Sequence, residues 1–362
     1  MSKTPSAPAA VADAAPALAP WIEQQAIALL QQRGHAWLLQ GPSGLGQQEL
    51  GMALMRAWLC EQPQPNGLAC GTCTSCHALD AHTHADACML MPEAQALEQG
   101  WPLDEKAQKE INDKKRKPSK EIRIEAMRAA IEFAQRTSSR NLGKAVLIYP
   151  AERMNIITAN ALLKTLEEPA GDTRFVLASE AAHLLLPTIR SRCQLHTMHW
   201  PAHDAALVWL HTQGLGAEDA ATLLTAAGGR PQDALDLARM GINGQLWKGL
   251  PRAALTEQGA AFAAFSPMQT LVVLQKICHD LLAIKAGGMP RFFAADDLPR
   301  PQNLQDWATL TAWAQDLARA ARTAEHPYIP GLFLEDLLAQ ATRMRRSIST
   351  QRQPLATLEH RQ

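Results

Sequence analysis

The sequence predicts an α/β domain of the phosphate-binding type, followed by segments that are all α-helical. Short apolar runs of strand length alternate with helical patterns over the first 200 residues. This order is typical of a mostly parallel sheet covered by helices on both faces. Beyond Pro201 the strand pattern ends and helical periodicity continues, with breaks at glycine and proline. At 362 residues the chain is long enough for two or three domains.

Charge and composition exclude several classes of protein. Lys and Arg together number 35, as do Asp and Glu, so the chain lacks the basic excess of a stand-alone nucleic-acid binder. No apolar run approaches the roughly 20 residues that span a bilayer. Residues 1–20, rich in Ala and Pro, lack the charged-then-apolar order of a signal peptide. We therefore expect a disordered N-terminal lead and a cytoplasmic protein, whose seven cysteines bind metal or remain thiols.

The first strand candidate, residues 36–40, continues directly into a glycine-rich loop. Gly41 and Gly46 have the spacing of the phosphate-binding loop G-x-x-x-x-G-K-[ST], and a helical pattern follows. Gln47 and Gln48 stand where that loop carries the phosphate-binding lysine and the magnesium-binding hydroxyl. We expect a degenerate loop. A plain turn explains the glycines less well, because the strand–loop–helix context is complete.

A second position also lacks the chemistry of ATP hydrolysis. Residues 145–149 and 174–178 are the next strand candidates. Proteins with a phosphate-binding loop that hydrolyse ATP carry magnesium-binding acids after the strand that corresponds to residues 145–149. Here Pro150 and Ala151 follow that strand. Phosphoryl transfer depends almost entirely on charge neutralisation and positioning. The loss of both lysine and acid therefore predicts that the chain has no ATPase activity of its own.

Four cysteines form a C-x9-C-x2-C-x2-C pattern, which predicts a structural zinc site. Four thiolates complete a tetrahedral shell and leave no open position for catalysis. Iron–sulfur proteins use other spacings, and four unrelated thiols are a weaker interpretation of three cysteines within seven residues. Nearby His77, His82 and His84 are expected at the surface. The four candidate ligands are Cys60, Cys70, Cys73 and Cys76.

Two further motifs resemble those of bacterial clamp-loader subunits, which are AAA+ proteins. They are NALLKTLEEP at residues 160–169 and LPTIRSRC at residues 186–193. The resemblance is clear over roughly residues 20–235. The degenerate loop, the four cysteines and the second motif occur together in the zinc-bearing members of the family that do not hydrolyse ATP. The polar residues of the first motif are interpreted as a solvated helix face with no catalytic role: Asn160, Lys164, Glu167 and Glu168.

The resemblance implies an AAA+ P-loop-type α/β domain with an inserted zinc module, followed by an all-α lid and an all-α collar. The expected boundaries are 21–200 for the α/β domain, 201–245 for the lid, 246–345 for the collar and 346–362 for a tail. Within the first domain, the zinc module occupies 60–76 and a charged, flexible insertion occupies about 92–120. The basic run 114–117 could touch DNA, but the surrounding acids favour a solvated loop.

The resemblance also implies a role for Arg192 as an arginine finger, a guanidinium that reaches the ATP of a neighbouring subunit. Its planar fork matches phosphate oxygens. Ser191 and Cys193 would support it. Without the motif, Arg192 would be a surface arginine, and Arg190 is its nearest rival for the role. Residues that sense nucleotide in active members would be Ser179 and Gln232, or Arg230 if the alignment shifts, and these too fit an inactive site.

The partners implied by the resemblance are ATP-hydrolysing gamma or tau subunits and a delta subunit in a five-membered ring. Through that ring the chain would act on the sliding clamp and on primer–template DNA. An alternative is that the chain is itself an ATP-hydrolysing subunit of the gamma or tau type, which Gln47, Gln48 and Pro150 oppose. A second alternative is a zinc-bearing interaction protein unrelated to replication.

Overall fold

The computed structural model describes residues 18–256, 258–323 and 329–344. It divides the chain into two compact units, residues 1–205 and 206–362, which we describe separately. The expected tail and nearly all of the expected N-terminal lead lie outside the described residues. Within the described ranges, no helix is both long and apolar enough to cross a membrane.

The first unit contains one five-stranded sheet in which every pairing is parallel. The strand order is β2-β3-β4-β1-β5, so β4 and β1 lie at the centre. The predicted parallel α/β architecture is confirmed. The strands are β1 (Ala36–Gln40), β2 (Ala87–Leu90), β3 (Lys144–Ile148), β4 (Thr173–Ser179) and β5 (Gln194–Thr197).

Helices cover both faces of this sheet. Val146 and Ile148 of β3 pack in one apolar cluster with Met127 and Leu162 of the flanking helices. Leu147 points to the other face, where a Cβ on Gly51 would lie 2.6 Å from its Cδ1. The helices are α1 (Pro20–Leu30), α2 (Gln47–Leu59), α3 (Thr74–Asp80), α4 (Glu93–Glu98), α5 (Glu105–Asn112), α6 (Ile124–Gln135), α7 (Ile156–Glu167) and α8 (Pro187–Arg190).

The charged segment between β2 and α6 is held in place, contrary to the flexible insertion that its composition predicts. The Arg116 guanidinium donates to both carboxylate oxygens of Glu93, at 2.5 and 2.8 Å, and its Nε donates to Glu110 at 2.8 Å. Glu93 also accepts from the Ser119 amide at 2.8 Å. One of the basic residues in the run 114–117 therefore anchors the segment, and Lys115 lies 3.1 Å from Asp113.

The second unit is helical, and one apolar core runs through it from Ala206 to Met344. Trp247, Phe262 and Trp313 are among its largest buried side chains. The division of this region into lid and collar stays a prediction. The helices are α9 (His203–Thr212), which begins at the end of the first unit, α10 (Ala217–Ala226), α11 (Pro231–Arg239), α12 (Gly244–Ala254), α13 (Pro267–Lys285), α14 (Trp307–Thr323) and α15 (Pro330–Thr342).

Candidate functional site

The glycine loop connects β1 to α2 at the carboxyl edge of the sheet, where parallel α/β proteins bind ligands. Gly46 caps α2 with φ of 92°, a conformation that favours glycine. A Cβ at Gly46 would lie 2.6 Å from Cδ1 of Ile22, so the side chains of α1 also approach the loop closely at this glycine. The positive φ is therefore the main structural reason for glycine at position 46.

The Gln47 side chain fills the loop from within. It is 2% exposed, and its Nε2 donates to the carbonyls of Gly41 at 2.7 Å and Pro42 at 2.8 Å. A carboxamide nitrogen has two hydrogens, so both are used by the loop itself. Its remaining polar atom is an oxygen, which accepts hydrogen bonds and repels phosphate. The group that replaces lysine thus ties the loop to itself.

The Gln48 side chain is paired with Gln99, which follows α4. Its Nε2 donates to Oε1 of Gln99 at 2.6 Å, and Nε2 of Gln99 donates back at 3.1 Å. The position that would carry a magnesium-binding hydroxyl is therefore occupied by an amide pair. That pair also joins the start of α2 to the segment after α4.

Carboxylates surround the end of β3, although not in the place that hydrolysis requires. β3 ends at Ile148, one residue before the predicted end, so Tyr149 separates the strand from Pro150 and Ala151. The next residue, Glu152, accepts from the Ser179 hydroxyl at 2.7 Å and from the Glu180 amide at 3.2 Å. Sequence reasoning gave Glu152 no role, and its position near a strand end was the one available indication.

The Tyr149 hydroxyl shows how much negative charge this region holds. It donates to Oε1 of Glu180 at 2.6 Å. Burial raises the pKa of Tyr149, and the nearby carboxylates of Glu180, Glu49 and Glu152 raise it further. Glu49 lies in the first turn of α2, beside the glycine loop. Three carboxylates therefore lie near the Tyr149 hydroxyl, at the same edge of the sheet as the glycine loop.

Arg192 lies just beyond α8, the short helix that Pro187 begins. Its Nε donates to Oε1 of Glu167 at 2.7 Å, its Nη2 contacts the same oxygen, and its Nη1 donates to the Thr188 carbonyl at 2.9 Å. The side chain remains 30% exposed. Arg192 is thus a surface group with a defined direction.

The neighbours of Arg192 differ in their environment. The Ser191 hydroxyl donates to the Thr188 carbonyl at 3.2 Å and helps to close the end of α8. Cys193 packs against the apolar cluster of the sheet, and burial raises its pKa to about 12, so it is a packing thiol. Arg190 is exposed. These contacts fix the backbone on both sides of Arg192.

The four predicted cysteine ligands converge. Their sulfurs all lie within 4.8 Å of one another, with Cys73–Cys76 at 3.5 Å, Cys60–Cys76 at 3.8 Å and Cys70–Cys76 at 4.0 Å. Four sulfurs at about 2.3 Å from one tetrahedral ion would lie about 3.8 Å apart. The cluster therefore fits a single metal ion with a full set of protein ligands.

Hydrogen bonds to sulfur reinforce that fit. The amides of Thr72 and Cys73 donate to Sγ of Cys70 at 3.4 and 3.3 Å. The backbone and hydroxyl of Thr72 lower the pKa of Cys70 to about 6. Burial acts in the opposite direction on Cys60 and Cys76 and raises their pKa, so Cys70 ionises more readily than these two. The ionised thiolate is the form that binds metal.

His84 is buried rather than at the surface, which corrects the expectation from sequence. Its Nε2 lies 2.7 Å from the Ser75 hydroxyl, which also contacts the Leu59 carbonyl. Its Nδ1 accepts from the Asp86 amide at 3.0 Å, and burial lowers the pKa of the ring. A neutral His84 therefore connects α3 to the end of α2 and to the start of β2, and leaves the cysteines as the candidate ligands.

In the second unit, the two candidates for a nucleotide-sensing residue have local partners. Arg230 caps α11 and its Nε donates to Asp233 at 2.6 Å. Gln232 donates to Asp236 at 3.4 Å. Their proposed correspondence to a sensing position stays a prediction.

The fold and the site together define a parallel α/β protein with a P-loop-like glycine loop after its first strand and a four-cysteine cluster after the next helix. Residues 22–201 match the family model described as "DNA polymerase III, delta subunit". Over those residues the chain matches this family, which confirms the resemblance indicated by the two motifs.

Curated relatives agree with this assignment. The chain is 37% identical over 217 residues to the DNA polymerase III subunit delta' of Pseudomonas aeruginosa, covering 59% of this chain and 58% of that protein. It is 34% identical over 224 residues to the subunit delta' of Escherichia coli, covering 61% and 60%. It is also 31% identical over 159 residues to a DNA polymerase III subunit gamma of Buchnera aphidicola, covering 44% and 36%. The matched regions span somewhat over half the length of the delta' relatives.

Proposed function

We propose that this chain is the delta-prime subunit of a DNA polymerase III clamp loader, and that it hydrolyses no ATP itself. Its contribution to ATP turnover is Arg192, presented to the nucleotide of a neighbouring subunit. The observation that carries the proposal is the Gln47 amide, whose two hydrogens are committed to the carbonyls of Gly41 and Pro42. Relatives named delta' support the assignment to this subunit.

The case against hydrolysis by this chain is electrostatic. A transferring phosphoryl group needs positive charge and a positioned metal ion. The loop offers an amide oxygen in place of an ammonium group, and the carboxylates of Glu49, Glu152 and Glu180 lie near the Tyr149 hydroxyl. Glu152 is turned to the Ser179 hydroxyl and the Glu180 amide. The missing ammonium group and the nearby carboxylates both weaken attraction for a triphosphate, and Glu152 is bonded to protein donors instead of being free for a metal ion.

The cysteine cluster is proposed to hold zinc in a structural role. All-thiolate tetrahedral sites are typical of structural zinc, and the sulfur spacing agrees with that geometry. The zinc would fix the segment between α2 and α3, and the shell leaves no position for a reacting water. The proposed role for the metal is therefore to stabilise the fold.

The proposed partners are ATP-hydrolysing gamma or tau subunits and the delta subunit, in a five-membered cytoplasmic ring that loads the sliding clamp on primed DNA. The competing proposal is an ATP-hydrolysing subunit of the gamma or tau type, which the match to a subunit gamma favours. Gln47, Gln48 and Pro150 argue against it, because three groups that hydrolysis needs are replaced.

Reconstitution tests the proposal. Purified gamma or tau and delta subunits, mixed with this chain, should co-elute with it as one complex on size exclusion. Rapid-quench measurement of DNA-stimulated ATP cleavage should show a fast phase in that complex that is missing from the same mixture without the chain, because one site then gains its arginine. A chain that stays out of the complex would instead favour an interaction protein unrelated to replication.

A further inference from the structure

Glu167 is the last residue of α7, and its carboxylate accepts hydrogen bonds from one edge of the Arg192 guanidinium. Both Nε and Nη2 of Arg192 bind the same oxygen of Glu167, and Nη1 binds the Thr188 carbonyl. A guanidinium has five N–H donors in a rigid plane. Three are used here, which leaves one hydrogen on each of the two terminal nitrogens.

The backbone that carries Glu167 is itself fixed. Leu166 is fully buried in the apolar cluster of the sheet. Its carbonyl lies 2.9 Å from Nε2 of His35, in the turn that precedes β1. The last turn of α7 is therefore tied to the turn before β1. Because the backbone at Glu167 is fixed, its carboxylate can restrict the orientation of the Arg192 side chain that it binds.

Two roles for this ion pair can be compared. Glu167 could compete with phosphate for Arg192, or it could orient Arg192 toward the phosphate. The pair is partly solvated, with side-chain exposures of 48% for Glu167 and 30% for Arg192. Such pairs contribute little net free energy, too little to keep a guanidinium from a triphosphate. A weak bond is nevertheless enough to favour one orientation of a long, flexible side chain.

The hydrogen-bond pattern also favours orientation of Arg192 toward the phosphate. A carboxylate on the Nε side leaves one donor on Nη1 and one on Nη2, a pair suited to two phosphate oxygens. A finger that already has its working orientation loses less conformational freedom when it meets the phosphate. Glu167 and a phosphate can therefore bind the same guanidinium at once.

We propose that Glu167 is a positioning residue, which holds Arg192 by its Nε edge so that the two terminal nitrogens face the ATP of the neighbouring subunit. This inference rests on the proposed function of Arg192. It assigns a role to a residue that sequence reasoning placed on a solvated helix face. The effect of Glu167 is exerted through Arg192, without contact between Glu167 and the nucleotide.

The test uses the reconstituted loader with variants of this chain. Glu167→Ala is expected to lower kcat for DNA-stimulated ATP hydrolysis at the adjacent site by about tenfold with KM for ATP little changed, because a misdirected finger weakens stabilisation of the transition state. Rapid-quench measurement resolves that site from the other ATP sites of the loader. Glu167→Gln keeps an oxygen acceptor and should recover most of that loss. Glu168→Ala removes the adjacent exposed carboxylate and is the matched control, with turnover like that of the unaltered chain.

A double-mutant cycle separates positioning from a general structural effect. With Arg192→Ala already present, Glu167→Ala should lower kcat no further. Additive losses, or a loss for Glu168→Ala equal to that for Glu167→Ala, would overturn the inference, and so would a rise in turnover for Glu167→Ala, which indicates competition with phosphate. If Arg192→Ala itself leaves turnover unchanged, the proposed function fails; if only Glu167→Ala has no effect, the function stands and this inference fails.

Discussion

Replacement of Arg192 with alanine is expected to lower DNA-stimulated ATP hydrolysis at the adjacent site of the reconstituted loader by about 10³-fold or more. Arginine fingers contribute about 10³–10⁵ in rate in well-studied phosphoryl transfer. Turnover of the whole loader should fall by the share that this site contributes. Rapid-quench measurement of ATP cleavage in the loader resolves the affected site as a missing fast phase.

The same substitution should leave folding and assembly intact. Among the described residues, Arg192 bonds to the Glu167 carboxylate and to the Thr188 carbonyl, and both of these residues are exposed. The loss of such contacts usually changes stability by about 0.5 kcal/mol or less. Co-elution of the variant with its partners is therefore expected to match that of the unaltered chain.

Arg190→Ala is the matched control, because it removes the same charge from the end of the same short helix. Arg190 is exposed and stands two residues earlier in the motif. Its replacement is expected to leave turnover nearly unchanged. Equal losses for the two variants would show that the local positive charge matters rather than one directed guanidinium, and a loss confined to Arg190→Ala would move the finger to that residue.

Replacement of Cys76 with serine is expected to remove the metal and to destabilise the first unit. The side chain is fully buried and its sulfur lies 3.5–4.0 Å from the other three. Structural zinc contributes about 10–16 kcal/mol in small zinc-binding peptides at neutral pH. The loss of one ligand of four should therefore cost several kcal/mol, enough to lower Tm by about 10 °C or more.

Elemental analysis of the purified chain checks this prediction directly. The unaltered chain should carry one zinc ion, and Cys76→Ser should carry almost none. Cys88→Ser is the control: Cys88 lies on β2, outside the cluster, where burial raises its pKa to about 11. It should retain its zinc. An unaltered chain that holds no metal after purification without chelators, or a Cys76→Ser chain that holds a full equivalent, would contradict the proposed zinc site.

The strands next to the glycine loop could be predicted closely from sequence because they are short, apolar and bounded by turns. The run at 36–40 coincides with β1, while β3 both begins and ends one residue earlier than predicted, and β4 extends one residue further at each end. β2 was not predicted. It has four residues, three of them only half-buried, at the edge of the sheet. So short a segment has too little alternation to stand out.

Helix α5 was hidden by its charge. Its residues lie in the segment interpreted as a loop, because charged side chains dominate the composition. The indication of a helix was Asp104, whose carboxylate accepts from the Lys106 amide and caps the first turn. The position of Arg116 against Glu93, 23 residues away, could not be read from the sequence, because it depends on the tertiary fold.

The candidate site divides in the same way. Residue types and spacing were enough to place the four cysteines together and to indicate that the loop lacks its lysine. The hydrogen-bond partners of the individual side chains in the site were not predictable. Gln47 turns back to its own loop, Gln48 meets Gln99, and Arg192 meets Glu167, 25 residues earlier. The last two contacts join elements whose proximity only the folded chain establishes, and the first depends on the rotamer of Gln47 within its loop.

The central claim is that the chain supplies Arg192 to a neighbouring ATP site but neither binds nor hydrolyses ATP itself. A measurement on the purified chain alone tests it most directly. Labelled ATP is titrated with the purified chain in magnesium, and phosphate release is followed in the same samples. We expect no magnesium-dependent binding up to about 1 mM ATP, the upper end of ordinary KM values, and no turnover. Tight binding that requires magnesium, with hydrolysis that is lost when Gln47 is changed to alanine, would contradict the account.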